Sequence, residues 1–184
     1  MKLKIPSELE TERLIIRPFM VDDCEAFTSF MVDREATRYL EFSEEQKTPE
    51  KAIELMSEVI ASYNSASPIF SLAVINNKSG QFIGSCGFSP LEKEGEVECY
   101  YTVVRSKWGN GYATESIHRL MKYGFDELNI KRIVAFMSKE NPASQKVAMK
   151  LGMTQSKSHK DIDIAQEKFK YTIDREQFYA KIQE

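Results

Sequence analysis

The sequence predicts an α/β fold: one domain over residues 1–184, with helices against a mixed sheet. Three observations predict it. Apolar runs at 69–75, 81–88 and 97–104 follow one another with only short turns between them, which implies an antiparallel meander. A long helix then carries Ile117, Leu120, Met121, Gly124, Phe125 and Leu128 on one stripe, at spacings of three and four. A further apolar run at 133–137 follows that helix. Strand, turn, helix and strand at this length make a right-handed crossover between parallel strands.

Each element has its own signal. Leu14, Ile15 and Ile16 lie between Arg13 and Arg17 and read as a short strand stopped by Pro18. Asp22 followed by Glu25 reads as a capping box for a helix carrying Ala26, Phe27, Phe30 and Met31. A second short helix is expected over 34–40, and 43–47 is a polar loop. Thr48 and Pro49 open the next helix as cap and first residue, with Ala52, Ile53, Met56, Val59, Ile60 and Tyr63 on its core face.

In the meander, Asn76 and Asn77 end the first strand, and Lys78, Ser79 and Gly80 make the turn. Gly84 and Gly87 in the second strand mark close backbone approach. Asn129 suits the C-terminus of the long helix. Asn141 and Pro142 cap a later helix that ends at Gly152. Polar residues at 154–160 read as an edge strand or hairpin arm. Phe169, Tyr171 and Ile173 alternate with polar residues in a half-buried last strand.

Composition narrows the functional classes. The chain is 42% hydrophobic and 29% charged, as in an ordinary globular protein. A net charge of −3 gives no general basic field for nucleic acid. No apolar run approaches the roughly 20 residues that span a bilayer, and the charged N-terminus has no signal-peptide core. Cys24, Cys86 and Cys99 are scattered and unpaired in spacing, which fits reduced thiols in a cytoplasmic protein. His118 and His159 lie far from any paired cysteines, so no metal site is expected.

The chemistry-bearing stretch is VVRSKWGNGYATE, positions 103–115. A strand, a Gly-x-Gly turn and a helix start together form an anion site. Backbone N–H groups there have no helical acceptor, and the helix dipole adds partial positive charge. Arg105 and Lys107 flank the turn and can add charge toward a phosphate. A dinucleotide fold would need a third glycine at 114, where threonine stands, and an acid at the tip of the next strand, where Met137, Ser138 and Lys139 follow one another.

The WGNGYATES motif, the preceding ECYYTVV strand and the later NPASQKVAMKLGM resemble the GNAT acetyltransferase superfamily. With ETERLIIRPFMVDDCEAF at the start, the chain is most similar to its RimJ/RimL-like branch, which acts on ribosomal-protein N-termini. The resemblance covers nearly the whole chain. It implies a GNAT-like, mostly antiparallel sheet of about seven strands, with a V-shaped splay between two parallel strands.

It also implies acetyl-coenzyme A as acyl donor, with no metal. The pyrophosphate would lie on Trp108, Gly109, Asn110, Gly111, Tyr112 and Ala113, with Thr114 beside them, and the pantetheine along Thr102, Val103 and Val104. The acceptor would be an amine, either a peptide N-terminus or a small molecule, and the protein a monomer or homodimer. The family's basic or glutamine position before the first glycine is Ser106 here, and the branch often has proline at the position of Arg105.

Acetyl transfer needs a neutral amine, a polarised thioester carbonyl, alignment, and a proton for the leaving thiolate. A backbone N–H near Val103 could serve the carbonyl. Glu98 matches an acidic position of the branch and is the candidate base. It shares a strand face with Glu96, so a solvated carboxylate is the plain alternative. The tyrosine donor of many relatives is Ala148 here. Ser144 matches the serine that the branch uses instead, and Asn141 a position that contacts pantetheine. Both also suit an ordinary helix start.

Four further residues take plain readings: Trp108 as a packing anchor, Tyr100 and Tyr101 on opposite strand faces, and Cys99 as an inert thiol. The rival function is a coenzyme A-binding module without catalysis, which the missing tyrosine favours.

Overall fold

A computed structural model describes residues 3–156 and 168–182 of the chain. Its strands are β1 (Leu9–Glu10), β2 (Leu14–Pro18), β3 (Phe70–Asn76), β4 (Phe82–Pro90), β5 (Glu96–Val103), β6 (Arg132–Ser138), β7 (Thr154–Gln155) and β8 (Lys168–Asp174). Its helices are α1 (Cys24–Met31), α2 (Pro49–Ser62), α3 (Tyr112–Asp126), α4 (Pro142–Lys150) and α5 (Arg175–Ile182).

Among the described residues the strands form one eight-stranded sheet in the order β1-β2-β3-β4-β5-β6-β8-β7. The expected count was about seven. The extra strand is β1, two residues long and paired antiparallel with β2 through Leu9↔Ile16 and Glu10↔Ile15. Two residues carry too little periodicity to read. By contacts the chain divides into two compact units. One comprises Phe88–Tyr100 and everything from Met121 onward, the other the chain through Gly87 together with Tyr101–Leu120.

In the first unit β5 and β6 run parallel, with Glu96↔Arg132, Val97↔Ile133 and Glu98↔Val134 in register. The ladder ends there among the described residues. On its other side β6 stays paired with β8 as far as Ser138↔Lys168. Among the described residues of this unit the β5–β6 pairing stops at Val134 while the β6–β8 pairing runs on. Ile133, Val134 and Ile173 are fully buried, as the continuous apolar run predicts. Asn129 takes φ 53° just after α3, the left-handed conformation of a helix C-cap.

Helix α5 lies outside every expected element. Its signal is nonetheless local. The Gln177 N–H donates to Asp174 Oδ1 (2.9 Å), and the Asp174 N–H donates to Gln177 Oε1 (3.0 Å), a capping box. Phe178 is its buried anchor. At eight residues the helix spans little more than two turns, too short for the apolar stripe to stand out in the sequence.

In the second unit β2 pairs antiparallel with β3 over Leu14↔Asn76 to Pro18↔Leu72. Helices α1 and α2 bury Phe27, Phe30, Met31, Ala52, Met56 and Val59 in one cluster with Phe19, Ala73 and Ile75. Thr48 caps α2 through its hydroxyl, which accepts the Lys51 N–H at 3.4 Å. Three expectations are corrected here. The capping carboxylate near α1 is Asp23, not Asp22: it accepts the Met20 N–H (2.8 Å) and a two-pronged contact from Arg17 (2.7 and 2.9 Å). That pairing satisfies an acid that is otherwise buried. Residues 34–40 form successive turns, not a helix, held by Thr37 N–H to Asp33 O and Leu40 N–H to Thr37 O. Ile53 is exposed, because the buried stripe of α2 follows Ala52, Met56 and Val59.

Gly84 in β4 marks a close approach, as expected. A Cβ placed there would lie 2.0 Å from the Thr102 carbonyl oxygen. Beside it the Ser85 N–H donates to the Thr102 hydroxyl (3.1 Å), and the two hydroxyls are 2.9 Å apart. The expected edge strand at 154–160 is seen as β7. The rest of that segment, with His159, lies outside the described residues.

Candidate active site

The turn after β5 is exposed at Trp108, Gly109, Asn110 and Gly111. Gly109 and Gly111 take φ 77° and 81°, a region open to glycine at little steric cost. Among the described residues, most carbonyls between β5 and α3 are occupied, those of Ser106 and Gly109 excepted. Val103 O accepts the Trp108 indole N–H at 2.7 Å, and Val104 O and Arg105 O accept the Lys107 and Trp108 amides. The Asn110 side-chain amide donates to Lys107 O (3.1 Å) and Trp108 O (3.0 Å). Asn110 O accepts from Arg13 (3.1 Å), and Gly111 O from the Glu115 amide (3.0 Å).

The amides show the opposite pattern. Among the described residues, none of the N–H groups of Gly109, Asn110, Gly111, Tyr112, Ala113 and Thr114 has a protein acceptor. A run of free donors at the start of α3, where the helix dipole adds partial positive charge, can accept an anion.

The flanking cations both have protein partners. Arg105 Nε pairs with Asp33 at 3.2 Å, and Lys107 Nζ donates to Gln81 at 2.8 Å. The cation bound to the turn itself is Arg13, which the sequence reading left unassigned. Its Nε and Nη2 meet Glu115 Oε2 at 2.7 and 2.6 Å, and its guanidinium lies 4.7 Å from the Tyr112 ring centroid. Glu115 Oε1 accepts the Arg13 amide (3.0 Å) and the Thr11 hydroxyl (2.6 Å). Burial opposes ionisation of Glu115, but these bonds outweigh it and hold the carboxyl below the usual range. Trp108 is half-exposed, so it is no buried packing anchor. It fastens the end of β5 through its N–H.

Thr102, Val103 and Val104 are half-buried. The Val104 N–H donates to Ile83 O at 2.9 Å. In the first unit Glu98 is half-buried at the last rung of the β5–β6 ladder. Burial pushes its carboxyl up. Glu96 differs: it is paired with Lys93 (2.7 Å) and Arg132 (3.5 Å). Two acids on one strand thus have different environments: Glu96 is ion-paired, and Glu98 is raised by burial.

Cys99 is buried, and its thiol is pushed up to about 12, by burial first and by the Glu98 charge second. It is no thiolate nucleophile. Asn141 caps α4 by accepting the Ser144 N–H on its side-chain oxygen (3.1 Å). Ser144 itself is half-buried, and Ala148 is buried with no donor to offer. Tyr100 and Tyr101 are both half-buried, and His118 is exposed. Among the described residues no group of three or more His, Cys, Asp or Glu is assembled for a metal.

Comparison with known proteins gives this geometry a family. Residues 13–154 match the family described as the Acetyltransferase (GNAT) domain. The uncharacterized N-acetyltransferase p20 of Bacillus licheniformis is 32% identical over 143 residues, 76% of this chain and 78% of the relative. A GNAT-family acetyltransferase structure from Bacillus anthracis superposes with TM-score 0.76 at 24% identity, covering 92% of this chain and 99% of that one. Mycobacterium smegmatis RimJ in complex with CoA-disulfide superposes with TM-score 0.71 at 18% identity, covering 89% and 83%. These two structures speak to the fold, and the family match spans most of the sequence. The chain belongs to the GNAT acetyltransferase family, and it is an acyltransferase.

Proposed function

We propose that this protein, as a single domain over residues 1–184, moves the acetyl group of acetyl-coenzyme A to a primary amine. One observation carries the reading: the run of acceptor-free amides from Gly109 to Thr114, with the carbonyls of Lys107, Trp108, Asn110 and Gly111 tied elsewhere. Such a run suits a pyrophosphate. A fold neighbour that carries a coenzyme A derivative supports the same ligand. Trp108, Gly109, Asn110, Gly111, Tyr112, Ala113 and Thr114 would hold the phosphates. Thr102, Val103, Val104, Asn141 and Ser144 would contact the pantetheine arm.

In the reaction Glu98 takes a proton from the ammonium or from the attacking amine. The amine nitrogen bonds to the thioester carbon, whose oxygen gains negative charge. A backbone N–H near Val103 stabilises that oxygen. The adduct nitrogen gives up its extra proton to Glu98, which passes protons on to solvent. The C–S bond breaks, and the thiolate takes a proton from solvent, directly or relayed through the Ser144 hydroxyl, which regains its own from water. The raised Glu98 carboxyl supports the base role, and the half-buried Ser144 at the α4 start supports the contact. No step calls for a metal.

The acceptor class follows the RimJ/RimL-like resemblance: a protein or peptide N-terminus, with small-molecule amines second. The working protein would be cytoplasmic, as a monomer or homodimer. A thiol-release assay with acetyl-coenzyme A and a panel of peptides, polyamines and aminoglycosides tests the reading. Turnover on one acceptor class supports it. Tight coenzyme A binding with no turnover on any amine favours the binding module, which the methyl of Ala148 at the usual donor position also suits. Absence of coenzyme A binding overturns both.

A further inference from the structure

We infer that Arg13 is a positioning residue for the phosphate turn: it sets the Gly111 amide toward the ligand and screens Glu115 from it. The inference rests on the acetyl-coenzyme A reading above and adds a residue to it. Three contacts specify the guanidinium. Nη1 donates to Asn110 O at 3.1 Å, Nε and Nη2 grip Glu115 Oε2, and the flat face lies over Tyr112.

The first contact orients a peptide. In a trans peptide the C=O and the following N–H point in opposite directions. Arg13 holds the Asn110 carbonyl on its own side, so the Gly111 N–H points the other way. That amide is one of the acceptor-free run. Arg13 supplies the side-chain hydrogen bond to the Asn110 carbonyl, and the freedom of Gly111 would let that peptide turn once the bond is lost. A flip would replace the Gly111 N–H with a carbonyl in the run of free donors.

The second contact concerns charge. Glu115 stands in the first turn of α3, where a carboxylate competes with a bound phosphate for the helix dipole. Its two oxygens accept four donors: the Thr11 hydroxyl, the Arg13 amide, and Nε and Nη2 of Arg13. The carboxylate is therefore neutralised and saturated on the strand side. Lysine would keep the charge at position 13 but could not make the fork.

The test separates phosphate positioning from general damage. Wild type, Arg13→Lys, Arg13→Gln and the double variant Arg13→Gln/Glu115→Gln are assayed with acetyl-coenzyme A and with S-acetylpantetheine, which lacks the pyrophosphate. Loss of a charge-assisted contact predicts a KM for acetyl-coenzyme A raised about tenfold in Arg13→Gln, with a smaller fall in kcat. With S-acetylpantetheine the same variant falls by no more than about twofold. The double variant recovers part of the affinity, because the bare carboxylate is gone.

Equal losses on both donors, or wild-type affinity in Arg13→Gln, overturns the inference. Calorimetry of the wild type with coenzyme A keeps the two failures apart: no binding there overturns the underlying reading as well, whereas binding with insensitive variants overturns only the role of Arg13.

Discussion

Glu98 sits at the last rung of the parallel ladder, and burial alone raises its carboxyl. A base must be deprotonated to work, so activity should rise as pH climbs through this raised value. Glu98→Gln should lower kcat by about 10²–10⁴-fold and abolish that acid limb, with little change in coenzyme A affinity. Wild-type kcat across pH 6–9 in the variant would remove Glu98 as the base. Stability runs the other way. An acid raised by folding contributes stability that is complete below its unfolded pKa and lost as pH rises through the folded one. Melting temperature in Glu98→Gln should therefore depend less on pH between the ordinary carboxylate value and the raised one. Gly111 carries a second prediction. Its φ of 81° would strain any L side chain by about 1–2 kcal/mol, while a Cβ would meet only Arg13 Nη2 at 3.5 Å. Gly111→Val should weaken coenzyme A binding and leave a folded protein, and unchanged affinity by calorimetry would sink the phosphate assignment. The glycines were legible in the sequence because glycine alone adopts such φ freely. Arg13 was not, because its partners lie some hundred residues away in sequence.

At the scale of elements, β3, β4, β5, α3, β6 and α4 were legible because each has a strong local pattern: a continuous apolar run, a full helical stripe or a cap followed by proline. What failed lacked one. Strand β1 is two residues long, and α5 has a cap but spans only eight residues. The 34–40 turns carry helix-like residues that make only scattered helical bonds. Around α1, adjacent aspartates looked alike, and only the tertiary contact with Arg17 selects Asp23. The β4–β5 junction yields a prediction of its own. A methyl at position 84 would be 2.0 Å from the Thr102 oxygen, which is backbone and cannot rotate away. Strand β5 would have to move where pantetheine is proposed to pair. Gly84→Ala should cost about 1–3 kcal/mol in urea unfolding and most of the turnover. A variant with wild-type stability and rate would show that Thr102, Val103 and Val104 need no fixed position.

For the whole molecule, charge and ligand sit in opposition. The chain carries −3, and coenzyme A is itself an anion, so no long-range field draws the donor in. Affinity must come from the local cradle of amides and from contacts along the pantetheine arm. The acceptor was the least legible feature, since an amine pocket is assembled from side chains scattered through the sequence, and no spacing rule encodes it. The donor is testable without knowing the acceptor. A ligand that binds only the folded chain stabilises it by about 2.7 kcal/mol at a hundred times its Kd. For a chain of this length that is a rise in melting temperature of roughly 5–10 °C. Coenzyme A should produce this rise, and pantetheine, which lacks the pyrophosphate, much less at equal concentration. The cradle is made of backbone amides, which do not titrate, so the rise should persist from pH 6 to 9. Equal shifts from coenzyme A and pantetheine would place the binding energy outside the turn and overturn its role as the phosphate cradle.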